Sequence, residues 1–328
     1  MSTPAKLSVV VPVYNALPYL ALFLDSLIAQ DSNDVEFILV DDGSTDGSPD
    51  VLANYARCDS RMRVVRRENG GVSHARNTGI SAASGEYLMF ADADDLIAPD
   101  FCSAMLTRIE ADNLDLLFCN GRHFKTDANA HGRTLFQKIK PSGPISGAEW
   151  IALCVAQGEF LQYVWLQACR MKLARRFNFA PGAVPHDDVI WTCELLVAAE
   201  RVGFLDRTLY FYRSNPTSLV NSPKGQVRRI EGYFNLVKAL IAMAALPGLR
   251  ADTSRALLKH AAEEARNVYR LARKLNGLRR RLLIYARAAD ENFPDLIGAT
   301  ATNTRQRRHA LTARMRGTLG RVVSAFFA

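Results

Sequence analysis

The chain has 328 residues, of which 48% are apolar, and a formal net charge of +8 with histidine counted as neutral. This length predicts one large domain or one domain with an appendage, with enough apolar residues for a full core. No stretch of 18 apolar residues occurs, and the short apolar run after Lys6 does not lead into a cleavage site, so we expect neither a transmembrane helix nor a cleaved leader. Six scattered cysteines without a CxxC pair argue against a zinc finger and are typical of reduced core residues in a cytosolic protein.

The charge is distributed unevenly along the chain. Residues 224–328 contain 21 Lys and Arg against 7 Asp and Glu, a net charge of +14, whereas residues 1–223 contain 20 against 26, a net charge of −6. This asymmetry indicates a polyanionic partner for the C-terminal region, which could be nucleic acid, an anionic membrane surface or an anionic acceptor. The alternative is a solvated helical surface.

Strand and helix patterns alternate through the first 120 or so residues. Strands are predicted at 7–15, 35–44, 62–68, 85–95 and 114–121, and the first two read as buried. Periodic apolar positions predict helices at 17–30, 44–57, 71–84 and 99–112. The alternation predicts an α/β fold, a mostly parallel sheet with helices on both faces.

The rest of the chain is less regular. Residues 122–145 predict a loop or hairpin, residues 146–200 look mostly helical, and residues 202–213 return to a strand pattern. Basic helices are then predicted at 226–246, 252–275, 277–291 and 305–327. We place the domain boundary near Ser222–Gly225, which separates a domain of residues 1–223 from a basic helical region of residues 224–328.

Three predicted strands end in polar turns, at Tyr14-Asn15, Asp41–Ser44 and Asp92–Asp95. Because ligands bind beyond the carboxyl ends of the strands in such sheets, we expect these turns to meet at one edge and form a site. Asp92 and Asp94 can share a face, since side chains alternate along an extended segment. Such a pair suits Mg²⁺ or Mn²⁺ bridged to phosphate oxygens, although an isolated DxD is weak evidence.

Two further groups have both a binding and a structural interpretation. A carboxylate in the Asp41–Ser44 turn can accept hydrogen bonds from a nucleobase or ribose, or it can cap a helix, and Gly43 permits the turn. Arg76, on the predicted helix 71–84, can contact phosphate or base. It can equally form an ion pair with one of the aspartates at the strand ends.

The segments SVVVPVYN, ILVDDGSTDGS and NGGVSHARNTGISAASGEYLMFADADD resemble, in order and spacing, the family 2 glycosyltransferases over residues 7–121. The resemblance implies the GT-A fold, a nucleotide-diphosphate sugar donor, UDP-linked by default, and a divalent cation within residues 1–121. The residues implied for the base and ribose are Asp41, Asp42 and the turn of Pro12, Tyr14 and Asn15. The resemblance further implies Arg76 near the base or diphosphate, Asp92 at the ribose or metal, and Asp94 as the main metal ligand.

The resemblance also implies an acceptor region, at residues 122–223, with a catalytic base. An inverting transfer needs a carboxylate to take the proton of the acceptor hydroxyl. The family usually supplies it from a Glu-Asp pair opening a helix, and this chain departs from that pattern with Asp187 in place of Glu. Asp188 matches the usual base and Asp187 is the alternative. A capping role for both remains open, since a helix N-terminus favours carboxylates, and the neighbouring His186 could contact acceptor or phosphate or be structural.

The segment Tyr210–Ser218 is similar to a Tyr-Arg…Ser segment of bacterial family members. By this similarity Arg213 stabilises the departing diphosphate, with a supporting ion pair as the alternative. Trp165 and Trp191 could stack on sugars, but core packing is favoured. The chain lacks a QxxRW motif, the mark of processive synthases, so we expect transfer of a single sugar.

The C-terminal helices combine apolar residues with arginines, as in residues 312–328. This pattern suits an amphipathic helix on anionic lipid, with packing on the catalytic domain as the alternative. The resemblance implies a saccharide or lipid-linked saccharide acceptor in cell-surface polysaccharide or lipopolysaccharide synthesis. We therefore expect a cytoplasmic protein, peripheral on the inner face of the membrane.

Three other functions compete with this hypothesis. A nucleotidyltransferase usually needs a Gly-rich phosphate loop in the first turn, and VPVYNALPY has none. A nucleic-acid-binding protein would leave the DxD unexplained, and the tail has no recognised motif, so we expect no nucleic-acid partner. An inactive scaffold is disfavoured by the intact acids.

Overall fold

The computed structural model describes residues 5–124, 134–159, 163–180, 185–214, 223–301 and 304–327. The chain forms two compact units, one of Met1–Ala183 and Trp191–Asn215 and the other of Val184–Ile190 and Pro216–Ala328. The units divide the chain near the predicted boundary but assign residues 184–190 to the second unit. The division at 223/224 stays a prediction.

Within the described residues, the first unit contains one sheet of eight strands. The strands are β1 Leu7–Val13, β2 Val35–Asp41, β3 Met62–Arg66, β4 Tyr87–Phe90, β5 Leu96–Ile97, β6 Leu116–Phe124, β7 Gln167–Arg170 and β8 Val202–Arg213. Their order is β3-β2-β1-β4-β7-β6-β8-β5. Parallel pairing joins β3, β2, β1 and β4 in that order, and it also joins β6 to β8. Antiparallel pairing joins β7 to both β4 and β6, and β5 to β8. The predicted mostly parallel sheet is confirmed.

Helices connect these strands. They are α1 Leu17–Ile28, α2 Ser48–Cys58, α3 Val72–Ala82, α4 Phe101–Ala111, α5 Gly147–Gln157, α6 Met171–Ala174 and α7 Asp187–Ala198, with a 3₁₀ turn at Val164–Leu166. The sequence of β1 is buried at six of its seven positions, the pattern of a strand covered on both faces. α3 lies so close to β1 that a Cβ on Gly79 would be 2.1 Å from Val10 Cγ1, which explains a glycine in the middle of this helix.

One prediction for the middle of the chain needs correction. The mostly helical segment 146–200 contains β7, a short antiparallel strand between β4 and β6. The segment 122–145, predicted as a loop or hairpin, begins with the last residues of β6, and an antiparallel bridge joins Arg122 to Thr134, which is compatible with the hairpin. Residues 125–133 of that prediction lie outside the described residues.

The second unit is helical. It contains α8 Pro223–Ala244, α9 Ala251–Ala272, α10 Leu278–Asp290, α11 Phe293–Ala299 and α12 Thr304–Phe327. The four basic helices predicted for this region are confirmed as α8, α9, α10 and α12, and α11 is an additional short helix. Phe234 of α8 stacks on Phe293 of α11 with ring centroids 5.0 Å apart, so the core joins helices distant in sequence. No helix in the described part of the chain is long and apolar enough to cross a membrane.

The cysteines are all free thiols. Five are buried, which confirms their prediction as reduced core residues, whereas Cys58 is exposed and its core assignment is wrong. Cys58 is the last residue of α2, and the only buried residues of that amphipathic helix are Ser48 and Leu52.

Candidate active site

The polar turns predicted to meet do lie at one edge of the sheet. β2, β1 and β4 are adjacent and parallel, so their carboxyl ends share an edge. Asp41 is the last residue of β2, Asn15 follows β1 by two residues, and Asp92 follows β4 by two residues. The predicted meeting of these turns at one edge is therefore confirmed, and such an edge is where ligands bind in open α/β sheets.

Asp41 and Asp42, both almost fully buried, have different surroundings. Oδ1 of Asp41 accepts a 2.9 Å hydrogen bond from the Ser44 amide. Its Oδ2 has no hydrogen-bond donor among the described residues and lies 3.4 Å from Nε of Arg66, whose side chain is 67% exposed. Asp41 thus keeps an acceptor for a ligand at the strand end.

The Asp42 carboxylate is used inside the fold. It accepts hydrogen bonds from the amides of Gly70 and Gly71 and from the guanidinium of Arg67. Gly43 has φ +72°, and a Cβ there would be 2.8 Å from the Asn69 amide nitrogen. Asp42 therefore fastens the turn after β2 to the turn after β3.

The turn after β1 is joined to the same loop. The Asn15 side chain accepts a 2.8 Å hydrogen bond from the Thr45 amide, and the Asn15 amide donates to Ser44 Oγ at 3.1 Å. Asn15 has φ +48°, a conformation that asparagine tolerates better than most residues. Pro12 is partly exposed, and the Tyr14 side chain beside this turn is 52% exposed, so it is accessible to a ligand.

The loop after β4 carries three aspartates with distinct environments. Asp92 and Asp94 are partly buried, whereas Asp95 is fully buried. The carboxylate of Asp95 accepts hydrogen bonds from the Tyr210 hydroxyl at 2.8 Å and the Arg213 amide at 2.7 Å, both on β8. Asp95 therefore anchors the loop to β8, whereas the side chains of Asp92 and Asp94 are partly exposed.

The environment of this loop disfavours additional negative charge. Burial and the nearby Asp92 carboxylate raise the pKa of Asp94. Burial, together with Asp92 and Asp94, raises the pKa of Asp95 well above its usual range. A cation bound to this loop would relieve the repulsion between the carboxylates.

Two arginines lie beside the loop. Arg76 of α3 places a guanidinium nitrogen 3.7 Å from Oδ1 of Asp92, and its guanidinium carbon is 5.3 Å from the centre of the Phe179 ring. Nε of Arg213 donates to the carbonyl oxygen of Asp94 at 2.6 Å. The ion pair expected as the structural alternative for Arg76 is present, and the same geometry places two buried cations beside the DxD.

A divalent cation fits these residues only in part. The described residues contain no group of three or more His, Cys, Asp or Glu able to hold a metal. The pair Asp92 and Asp94 offers hard oxygen ligands, and the crowded negative charge favours a cation. Mg²⁺ or Mn²⁺ at this position would need further ligands from a diphosphate, as is usual where these ions bind nucleotides.

Comparison with known proteins identifies the family. The model of glycosyl transferase family 2 matches residues 8–154. The chain is 36% identical over 222 residues to the glycosyltransferase GlyG of Streptococcus pneumoniae, covering 66% of this chain and 73% of that protein. The chain belongs to glycosyl transferase family 2.

Other relatives match this family 2 chain over a similar stretch. It is 31% identical over 222 residues to the glycosyltransferase YibD of Escherichia coli, and 34% identical over 224 residues to EpsJ of Bacillus subtilis. These matches cover 67% and 66% of the chain but only 64% and 63% of the relatives. The chain thus spans somewhat less than two thirds of the length of these two relatives.

Solved structures give the fold of this family 2 member as GT-A. Residues 1–349 of TarS from S. aureus superpose with a TM-score of 0.72 at 20% identity, covering 96% of this chain and 89% of that one. The mannosyltransferase PcManGT from Pyrobaculum calidifontis superposes with a TM-score of 0.57 at 19% identity, covering 97% and 88%. At these identities the similarity establishes the fold alone, and it confirms the fold predicted from the motifs.

The residues predicted as catalytic base in this family 2 chain open α7 and belong to the second compact unit. Oδ1 of Asp187 accepts a 2.8 Å hydrogen bond from the Asp188 amide, and Oδ1 of Asp188 accepts one of 2.9 Å from the Val189 amide. Asp187 is buried and Asp188 partly exposed. These contacts are compatible with the capping alternative, and the choice between the two as base stays a prediction.

His186 precedes this pair in a left-handed conformation, with φ +74°. Its ring packs on Tyr233 of α8 at a centroid distance of 4.1 Å. Burial lowers the pKa of His186 to about 4. These contacts match the structural alternative given for this histidine.

The tryptophans pack in the core, as favoured from the sequence. Trp191 is 1% exposed, stacks on Phe179 and donates to the Phe177 carbonyl oxygen at 3.3 Å. Trp165 is 4% exposed and stacks on Tyr210 at 4.4 Å. Of the segment predicted around Arg213, residues 215–218 lie outside the described residues.

Sequence reasoning missed the roles of Asp95 and Tyr210. Asp95 is the third acid of DADD and has no predicted role beyond its place in the turn, and Tyr210 enters the predictions only as part of the segment with Arg213. Two sequence features are associated with these roles: an acid that directly follows a DxD, and a tyrosine at an apolar position of a predicted strand. Neither feature indicates that the two side chains, 115 positions apart, form a hydrogen bond.

Proposed function

We propose that this chain is a glycosyltransferase that transfers one sugar, with inversion, from a nucleotide-diphosphate sugar to a saccharide or lipid-linked saccharide acceptor. We place its product in cell-surface polysaccharide or lipopolysaccharide synthesis and take a UDP-sugar as the preferred donor. The observation behind the proposal is the pair Asp92 and Asp94 at the same sheet edge as Asp41, with Arg76 3.7 Å from Asp92. The relatives named above as glycosyltransferases support the reaction class.

The donor in this proposal lies along the sheet edge. Oδ2 of Asp41, which has no hydrogen-bond donor among the described residues, and the exposed Tyr14 are suited to the base and ribose, with Pro12 and Asn15 shaping that end. Asp42 contributes by fixing the loop. The structures of TarS with UDP-GlcNAc and of PcManGT with GDP-Man and Mn²⁺ support a nucleotide-sugar donor with a cation.

The diphosphate end is placed beside the DxD. Asp94, with Asp92, is proposed to hold Mg²⁺ or Mn²⁺, and the bound ion would neutralise charge on the diphosphate. Arg213 and Arg76 supply two further positive charges near the same loop. Charge on the leaving diphosphate grows as the sugar bond breaks, so these preorganised cations favour the transition state.

The transfer itself is a single displacement. The acceptor hydroxyl oxygen attacks the anomeric carbon, and the bond from that carbon to the diphosphate oxygen breaks, its electron pair leaving with the nucleotide. Asp188, or Asp187 in its place, takes the acceptor proton. One displacement at the anomeric carbon inverts its configuration.

The proposal is tested by titrating UDP-, GDP- and dTDP-sugars into the protein with and without Mn²⁺, with transfer assayed on saccharide acceptors. We expect one donor to bind in a metal-dependent manner and Asp94→Ala to abolish that dependence. Asp100→Ala is the matched control, because Asp100 is a partly exposed aspartate that pairs with Arg207. If Asp94→Ala binds the donor as the unmodified protein does, the assigned metal ligand is wrong.

We further propose that the basic second unit contacts an anionic membrane surface. Leu311 and Met315 lie one turn apart on α12 and are 60% and 67% exposed, and the exposed Arg314 lies between them. Apolar side chains flanked by arginines suit the interface of an anionic bilayer. Leu311→Ser with Met315→Ser should reduce flotation with phosphatidylglycerol vesicles. Leu22→Ser with Ile28→Ser, two exposed residues of α1, is the control, and equal flotation of both variants would refute the proposal.

A further inference from the structure

The second unit contains a cavity of about 770 Å³ with a strongly basic lining. The charged groups around it are Arg266, Arg270, Arg273, Arg305, Arg316, His309 and a single carboxylate, Glu263. The volume lies within the range of small-molecule sites, roughly 300–1,000 Å³. This cavity is formed within one compact unit and shares no residue with the DxD edge.

Helical spacing explains how these charges come together. Arg266, Arg270 and Arg273 are separated by four and three positions on α9, so they lie on one face of that helix. Arg305 and His309 are separated by four positions on α12 and likewise share a face. The basic faces of α9 and α12 therefore both line the cavity. The net charge of the C-terminal region alone does not predict this arrangement.

Two buried donors in the lining have no acceptor. Arg266 pairs with Glu263 through Nε, at 3.0 Å, whereas its Nη1 is buried and lacks a hydrogen-bond partner within the described ranges. The hydroxyl of Tyr269 is also buried without a partner in that part of the chain. Buried donors are normally satisfied, so two in one cavity indicate a ligand that accepts hydrogen bonds.

The electrostatics of the lining point to the same kind of ligand. The pKa of His309 is lowered chiefly by burial and, to a smaller extent, by the positive charges of Arg305, Arg266 and Arg273. These groups therefore act on one another at close range. Glu263 alone does not balance the five arginines of the lining. A bound anion would reduce this repulsion.

We propose that this cavity binds a phosphate-bearing anion of one or two phosphate groups. Guanidinium groups match the geometry of phosphate oxygens and form paired, charge-assisted hydrogen bonds with them. The unpartnered donors of Arg266 and Tyr269 supply contacts that a diffuse surface charge would not. The site is independent of the proposed transfer reaction, and its ligand can be a soluble phosphate compound or the headgroup of a phospholipid.

The test is calorimetric titration of the full chain with inorganic pyrophosphate in EDTA, which removes metal-dependent binding at the DxD edge. The cavity variant is Arg273→Gln with Arg305→Gln, both exposed, so that the core is left intact. The control is Arg307→Gln with Arg308→Gln, which removes the same charge from exposed positions of α12 outside the cavity. We expect the cavity variant to bind at least about tenfold more weakly and the control to change little.

A vesicle measurement separates the two sources of phosphate. If the cavity variant alone loses association with phosphatidylglycerol vesicles, and pyrophosphate competes, the ligand is a lipid headgroup. If vesicle association is unchanged while pyrophosphate binding is lost, the ligand is soluble. The proposal is overturned if the unmodified protein does not bind pyrophosphate, or if the cavity and control variants weaken equally.

Discussion

The hydroxyl group of Tyr210 donates a 2.8 Å hydrogen bond to Oδ2 of Asp95, and the Tyr210 hydroxyl oxygen accepts a 3.0 Å hydrogen bond from the Asp92 amide. Through this one group, β8 holds both ends of the Asp92–Asp95 segment. Tyr210 is fully buried, so water does not compete for these bonds. The carboxylates proposed to hold the cation are thus positioned by a residue that does not contact it.

Replacing Tyr210 with phenylalanine should loosen this segment while keeping the aromatic ring. The change leaves the Asp92 amide and the buried Asp95 carboxylate each with one partner fewer, which should lower the free energy of unfolding by about 1–3 kcal/mol. We also expect weaker Mn²⁺-dependent donor binding, measured by calorimetry. Tyr212→Phe serves as control, and a Tyr210→Phe protein with unchanged stability and metal affinity would contradict the positioning role.

Asp41 and Asp42 should respond differently to the same substitution. Asp41→Asn alters an acceptor proposed to face the nucleotide, so donor affinity should fall several-fold with little loss of stability. Asp42→Asn replaces a carboxylate that accepts two backbone amides and a guanidinium, so stability should fall by about 1–3 kcal/mol. Urea unfolding and donor titration of both variants would show the contrast, and identical profiles would refute the division of roles.

Asp188→Asn tests the assignment of the base. The amide cannot take the acceptor proton, so transfer should slow by about 100-fold or more, while donor binding stays unchanged. Asp187→Asn is the matched comparison one residue away. If Asp188→Asn transfers sugar at the normal rate and Asp187→Asn does not, the base is Asp187.

The sequence was sufficient to predict the part of the fold that depends on local patterns. The buried run of β1 and the acids following β2 and β4 define parallel strands and their polar ends, and parallel pairing then places those ends at one edge. The sheet edge and most of its candidate residues therefore follow from the sequence alone.

Features that depend on distant pairing were not predictable in this way. Gln167–Arg170 has no strand pattern of its own and becomes β7 because it pairs with β4 and β6. The division of labour between Asp41 and Asp42 depends on Gly70, Gly71 and Arg67, which belong to the next turn. Tertiary contacts determine the strand at β7 and the separate roles of Asp41 and Asp42, and these contacts cannot be inferred from a single sequence.

His186 predicts a specific loss of stability in acid. Its pKa is about 4 in the folded chain, chiefly because of burial, against an ordinary value near 6.5. As the pH falls from about 6.5 towards 4, the unfolded chain binds a proton on this residue that the folded chain does not, so stability decreases over that window. At pH 5 the loss from this residue alone should be about 2 kcal/mol relative to pH 7.

His186→Asn removes the titrating group and keeps a residue that tolerates the left-handed backbone at this position. Urea unfolding of both proteins, followed by far-ultraviolet circular dichroism at pH 7 and pH 5, isolates its contribution because all other titrating groups are shared. The variant should lose less stability on acidification by about 2 kcal/mol. Equal losses in the two proteins would mean that His186 becomes protonated as readily in the folded chain as in the unfolded one, and that its packing on Tyr233 does not exclude the charge.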